Sequence, residues 1–207
     1  MSDPTQPSAP DFATRDPNSP EFWDERFERH FMPWDQAGVP AAFHAFAERH
    51  RGAAVLIPGC GSAYEAVWLA RQGNPVRAID FSPAAVAAAR EQLGPQHAQL
   101  VEQADFFTYE PPFTPAWIYE RAFFCALPPA RRADYVQRMA ELLPPGAVLA
   151  GFFFFGATPK GPPFGIERGE LDALLTPYFD LIEDEAVADS IAVFTGRERW
   201  LIWRRRA

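Results

Sequence analysis

Lysine is almost missing from this 207-residue chain: Lys160 stands alone, and the formal net charge is −8 in spite of plentiful arginine. An acidic balance of that size argues against a nucleic-acid partner, whose phosphates demand a basic face. Cysteine is nearly as scarce. Cys60 and Cys125 are too few for a disulfide framework, and both are expected to be reduced. His30, His44, His50 and His97 show no metal-ligand spacing, so no metal is expected. Long apolar runs are absent too: the greasiest segment, AVLAGFFFFGA, is bounded by Pro145 and Pro159, too short to cross a bilayer. The N-terminal MSDPTQPSAPDFATRDPNSP has neither the basic start nor the apolar centre of a secretory leader. These absences point to a cytoplasmic protein without membrane or nucleic-acid partners.

What is present is ordinary for a globular chain, 48% hydrophobic and 22% charged, with length enough for one substantial core. Residues 1–20, rich in Pro, Ser and Asp, read as a flexible arm and residues 21–207 as one domain. The terminal RRR reads as a solvated chain end, and the lack of a heptad pattern or exposed apolar stripe favours a monomer. Residues 21–50 form two helical pieces broken near Pro33 and Pro40. Strands and helices then alternate. AAVLI is a buried strand, followed by a helix with Ala63, Val67 and Ala70 on one face. VRAID is a second strand, after which Ser82 caps a helix with Pro83 in its first turn and Val86, Ala89 and Leu93 inward. AQLVEQAD and AWIYERAFF are strands three and four. RRADYVQRMAELL is a helix with Tyr135, Met139 and Leu142 on one side, and AVLAGFFFF is strand five. A helix at ERGELDALL precedes two strands, FDLIEDEAV and RERWLIWRR, with no long helix between them. The pattern is α/β: a mostly parallel sheet with helices on both faces, closed by an antiparallel pair at one edge. Ligands in such sheets bind at the carboxyl ends of strands, which directs attention to Pro58–Ser62, Asp80–Ser82, Asp105–Phe107 and Tyr119–Leu127.

The turn PGCGS leads from strand one into the first sheet helix. Gly59 and Gly61 can adopt backbone angles closed to other residues and let main chain approach a ligand. A dinucleotide fingerprint adds a third glycine three residues later, where a pyrophosphate meets the helix N-terminus. Tyr64 stands there instead and would crowd a pyrophosphate. Asp80, ending strand two, is placed to accept from both hydroxyls of a ribose. An adenosine without phosphates, carrying a sulfonium, suits these facts better than NAD.

EFWDERFERHFMPWD, LIPGCGSAYEAVWLARQG, QADFF and FFCALPPARRADYVQRMAELLPPG, in this order and spacing, resemble the thiopurine S-methyltransferase superfamily, and most of all its plant-type thiol and halide methyltransferases. The resemblance covers nearly everything after residue 20. It implies a class I S-adenosylmethionine-dependent methyltransferase: a Rossmann-like sandwich with a seven-stranded, mostly parallel sheet and an N-terminal helical cover. By matching position, Trp23, Phe27 and Trp34 would wall in the cofactor, and Gly59, with Cys60 and Gly61, would lie under its methionine portion. Asp80, followed by Phe81, would hold the ribose, and Asp105 and Phe106 would flank the adenine. Two positions depart from the plant-type pattern: Arg121, where a tyrosine is shared, and Phe27, where a tryptophan is common. Arg121 is therefore a candidate contact for an anionic acceptor or for the cofactor carboxylate, with a salt bridge to Glu120 or Asp105 as the plainer role.

Methyl transfer from a sulfonium is an in-line displacement with an activated leaving group, so alignment and exclusion of water are the main demands. A thiol, thiopurine, hydrosulfide or halide, arriving as a soft anion, needs little general base, and no His–acid pair is evident in the sequence. Aromatic walls suit a cationic sulfonium. Tyr109, Trp117 and Tyr119 are further candidates for the pocket wall. The competing readings are a nicotinamide-dependent oxidoreductase and a non-catalytic cofactor-binding module.

Overall fold

The computed structural model describes residues 10–207. Two short helices, α1 (Pro20–Glu28) and α2 (Ala41–Arg49), precede the alternating part: β1 (Val55–Pro58), α3 (Tyr64–Arg71), β2 (Val76–Asp80), α4 (Pro83–Leu93), β3 (Val101–Gln103), β4 (Trp117–Arg121), α5 (Arg132–Leu142), β5 (Val148–Phe154), α6 (Arg168–Leu175), β6 (Phe179–Ala186) and β7 (Glu198–Arg205). The strands form one sheet in the order β3-β2-β1-β4-β5-β7-β6. β1 pairs in parallel with β2 and β4, β2 with β3, and β4 with β5. β7 is antiparallel to both β5 and β6. The antiparallel strand therefore lies one place in from the edge, with β6 outside it, because β7 returns directly from β6 without a crossover helix.

Both faces are buried at the central strands, which is why β1 and β5 read as unbroken apolar runs, while the edge strand β6 is mostly exposed. Period-two alternation still divides them. Val55 and Ile57 of β1 join Phe43 and Phe46 of α2, Leu69 of α3 and Val86 of α4 on one face. Leu56 joins Tyr135 and Met139 of α5 and Leu171 of α6 on the other. Ser82 caps α4 as expected, its Oγ accepting from the Ala85 N–H at 3.0 Å. In α3 the buried face differs from the expected one: Glu65, Ala66 and Leu69 point inward, while Val67 and Ala70 are half-covered. The cause is that α3 starts only at Tyr64, after a left-handed Ala63, which rotates the helix relative to a pattern counted from Ala63. The terminal arginines are not a free tail: β7 runs through Arg205, whose Nε donates to the Ala140 carbonyl, and Arg206 pairs with Asp180 at 2.7 Å.

Candidate active site

β1, β2 and β4 all end at one rim of the sheet, and the cavity there is roofed by α1 and the loop that follows it. Gly59 and Gly61, after β1, have φ +57° and +49°. A Cβ at Gly59 would stand 2.4 Å from Cδ2 of Phe123, so this position needs glycine for space as well as for its backbone angle. Gly61 faces more open space: its nearest neighbour would be Phe27 Cζ at 3.6 Å. The turn is held by Cys60 N–H donating to the Ile79 carbonyl at 3.0 Å and Gly61 N–H donating to Asp80 Oδ2 at 3.1 Å. Asp80 is buried, and its Oδ1 accepts from the Ser82 N–H at 3.0 Å. Burial pushes its carboxyl up to about 6, with the Ser82 and Gly61 N–H groups opposing and nearby Asp24 assisting. Phe81 lies beside it on the cavity wall.

The cover is pinned to the rim by two carboxylates. Asp24 of α1 accepts from Ser82 Oγ at 2.6 Å and from the Ala84 N–H at 3.0 Å, at the start of α4, where a negative charge also meets the helix dipole favourably. Asp35 accepts from Ser62 Oγ just before α3. Between these anchors Trp23 and Trp34 meet edge to face at 5.6 Å, and Trp23 Nε1 donates to the Pro17 carbonyl at 3.0 Å. The expected flexible arm of residues 1–20 lies outside the described residues up to 9, and from residue 10 it is tied down. Phe12 is buried, the Arg26 guanidinium stacks on Phe22 and Phe12, and Glu25 accepts from the N–H groups of Ala13 and Thr14, both at 3.0 Å. Pro17 and Asn18 thereby become part of the cavity wall.

β4 supplies the floor. Tyr119 Oη donates to Glu65 Oε1 at 3.0 Å. Arg121 lies with its guanidinium 4.8 Å from the Phe152 ring centre, and its buried Nη1 has no partner among the described residues. Burial lowers its tendency to stay charged, but Tyr119, Glu65 and Glu198 more than offset this and raise its pKa. The salt bridge to Glu120 or Asp105 is not formed. Glu120 points to the opposite sheet face, as strand alternation requires, and Asp105 accepts from the Phe107 N–H at 3.0 Å in a tight turn. Glu120 instead holds the chain that follows β4. Its Oε1 accepts from the Phe123 and Phe124 N–H groups at 2.9 and 2.8 Å, clamping left-handed Ala122 (φ 58°), while Oε2 accepts from Tyr135 Oη at 2.6 Å. The loop that carries Ala122 and Phe123 into the cavity wall is thereby fixed.

Burial raises the Glu120 carboxyl from 4.5 to about 7, against the hydrogen bonds of Tyr135, Phe124 and Phe123. A raised pKa means the folded state favours the protonated form: that stability is fully present below the unfolded value and is lost as pH rises through about 7. Glu120→Gln, permanently neutral and still able to accept from both N–H groups, is expected to gain on the wild type by roughly 2 kcal/mol in urea unfolding between about pH 5.5 and about pH 8. A difference independent of pH would refute the buried-acid reading.

All eleven residues expected from the sequence, from Trp23 to Arg121, line this one cavity. Of the looser candidates, Tyr119 does; Trp117 is in the core against Phe46, and Tyr109 turns its hydroxyl to Glu102. Phe123, inside the Tyr119–Leu127 stretch marked from the sequence, lines it as well, and Glu65, Asp35 and Arg131 line it without having been expected. Only Glu65 left a trace in the sequence, a carboxylate four residues before the buried Leu69. Cys60 and Cys125 are free thiols, and burial pushes both up, Cys60 with help from Asp80 and Cys125 with help from Glu120, so neither is a poised nucleophile. Among the described residues no group of three or more His, Cys, Asp and Glu is arranged to hold a metal ion.

The sheet order, with its reversed β7 and its cavity at the parallel strand ends, defines the fold of the class I methyltransferases. A 1,6-didemethyltoxoflavin-N1-methyltransferase from Burkholderia thailandensis, solved with 1,6-didemethyltoxoflavin and S-adenosylhomocysteine, shares this fold: TM-score 0.73, 16% identity, over 95% of this chain and 93% of that one. Sequence goes further. The thiopurine S-methyltransferase family profile matches residues 18–206. Thiocyanate methyltransferase 1 of Arabidopsis thaliana is 28% identical over 192 residues, 88% of this chain and 84% of the relative. Thiopurine S-methyltransferase of Vibrio cholerae serotype O1 is 30% identical over 175 residues, 75% of this chain and 80% of the relative. The chain belongs to the thiopurine S-methyltransferase family and is an S-adenosylmethionine-dependent methyltransferase. Its own residues fit that cofactor: Gly59 leaves room only for main chain, Asp80 is a buried acceptor, Tyr64 occupies the helix start that a pyrophosphate would need, and aromatic rings face the cavity.

Proposed function

We propose that the methyl acceptor is a small soft nucleophile that reaches the site as an anion: a thiol, a thiopurine, hydrosulfide or a halide. The observation that carries this reading is the unpartnered, buried Nη1 of Arg121 in a cavity whose walls, among the described residues, hold no histidine or lysine. Such a site offers positive field but no imidazole or amine to take a proton, which favours acceptors that ionise by themselves. Two of the cavity-lining residues, Trp34 and Ala122, are backed by apolar side chains of the β6–β7 loop, Ile191 and Phe194. That loop is held to the start of α2 by the Ala41 N–H donating to Asp189 at 2.8 Å.

When bound, S-adenosylmethionine supplies a methyl group on a cationic sulfur that becomes a neutral thioether on transfer. In this reading Trp23, Phe27 and Trp34 present ring faces to that positive centre and exclude water. Gly59, Cys60 and Gly61 offer main chain beneath the methionine portion. Asp80 accepts from the ribose hydroxyls, with Phe81 beside it, and Asp105 and Phe106 bracket the adenine. Arg121 draws in the anionic acceptor and orients it.

The protein is further proposed to act as a cytoplasmic monomer. Exposed large apolar side chains among the described residues are confined to Tyr178, Leu181 and Ile182, too few for an obligate interface. No helix of the described residues is long and apolar enough to cross a membrane.

Calorimetric titration with S-adenosylhomocysteine, with NADH in parallel, tests the cofactor site. Binding of the thioether alone is expected. Turnover is then followed across thiolates, hydrosulfide, iodide and a thiopurine, where the expected result is activity that follows the ionised fraction of each acceptor. Binding without turnover of any of them would overturn the acceptor assignment.

A further inference from the structure

The cavity holds four carboxylates, and each has at least one partner in the protein. Asp35 accepts from Ser62, Asp80 from two backbone N–H groups, and Asp105 from the Phe107 N–H. Glu65 is different. It is buried at 8% exposure on the second residue of α3, directly after the Gly-rich turn, and only Oε1 has a partner, the Tyr119 hydroxyl. No cation lies within ion-pair distance of it among the described residues, although Arg121 acts from further off on it and on a second buried carboxylate, Glu198. A carboxylate in such a place is costly unless something positive joins it.

Resting on the S-adenosylmethionine site described above, we propose that Glu65 is the counter-charge for the ammonium group at the amino-acid end of the cofactor, with Tyr119 holding the carboxylate in position. The cofactor brings two cationic centres, and their chemistry separates their partners. A sulfonium carries no N–H and suits ring faces, whereas an ammonium has three donors and calls for an acceptor. Asp35 and Asp105 also keep one oxygen without a partner, but Asp35 is half-buried and Asp105 exposed, so among the cavity acids Glu65 alone is buried with an oxygen to spare. Its bond to Tyr119 puts it at the β1–β4 end of the cavity, away from Asp105 and Phe106. Burial raises the Glu65 pKa, with Arg121 and Tyr119 opposing, which is the condition of an acid awaiting a cation. Glu65 is thus a binding residue and Tyr119 a positioning residue.

The test is a ligand-and-protein cycle read by calorimetry, without turnover. Wild type, Glu65→Gln and Tyr119→Phe are each titrated with S-adenosylhomocysteine and with its analogue lacking the α-amino group. Gln keeps the acceptor for Tyr119, so thermal melts matching the wild type are expected. Loss of a charge-assisted hydrogen bond predicts that Glu65→Gln weakens S-adenosylhomocysteine roughly 10- to 100-fold. Wild type is expected to lose a similar factor on the deaminated analogue, while Glu65→Gln binds the two ligands alike. Tyr119→Phe, which keeps the charge but frees the carboxylate, is expected to lose only about 3- to 10-fold. Unchanged thioether affinity in Glu65→Gln would overturn the proposal. Failure of the wild type itself to bind the thioether would fault the cofactor site as a whole, a separate result.

Discussion

Gly59→Ala is expected to weaken S-adenosylhomocysteine binding at least about 100-fold, equivalent to about 2.7 kcal/mol. Two costs act together. The backbone at φ +57° is one that a residue with a Cβ adopts only at a penalty. The added methyl would also meet the Phe123 ring at 2.4 Å, and Phe123 cannot withdraw easily, because its N–H is gripped by Glu120 and its ring packs on Phe106 and Tyr135. The strain is therefore relieved by moving either the turn or the loop after β4, both of which form the cavity wall. Gly61→Ala is the control. Its new Cβ would find only Phe27 at 3.6 Å, so it bears the backbone penalty with little collision. Calorimetry on both variants, with melting curves to separate binding from folding, checks the ranking; Gly59→Ala binding within threefold of wild type would contradict it.

Arg121→Met is expected to lower kcat/KM for small thiolates roughly 100-fold while leaving S-adenosylhomocysteine affinity within about threefold, since charge-assisted hydrogen bonds are worth about twice neutral ones. Methionine keeps the apolar stem against Phe152 and removes the cation whose Nη1 stands free. Arg121→Lys is expected to recover part of the rate as a point charge without the planar fork. A fall in thioether affinity equal to the fall in kcat/KM would show that the guanidinium serves the cofactor carboxylate instead of the acceptor. Both variants leave Glu198 and Glu65 without their cationic neighbour or with a weaker one, so modest losses in melting temperature are expected alongside.

These outcomes bear on how the site is written in the chain. The strand ends were legible because each is marked by a change of pattern: PGCGS after an apolar run, Asp80 before a Ser-Pro helix start, and QADFF leading into a turn. The aromatic cover could be read as well, since Trp23 and Phe27 recur at helical spacing and Trp34 follows a proline. Period-two alternation was the one rule that, applied to WIYER, would have corrected the expected pairing of Arg121 with Glu120: neighbours on a strand face opposite ways.

By itself, then, the sequence determined the α/β alternation, the antiparallel closing strand and the rim residues that converge on one cavity, because these depend on local periodicity, turn chemistry and chain order. Tertiary structure alone decided the charges. Whether Glu65 keeps a free oxygen, whether Arg121 is paired, and whether Asp80 and Glu120 hold protons depend on which groups α3, β4, β7 and the cover bring within a few ångströms of one another. Electrostatic energies fall with distance and rise with burial, and both are properties of the folded neighbourhood. The pinning of residues 10–19 belongs to the same class: Pro- and Ser-rich sequence reads as free chain until Glu25 and Arg26 of α1 are placed beside it.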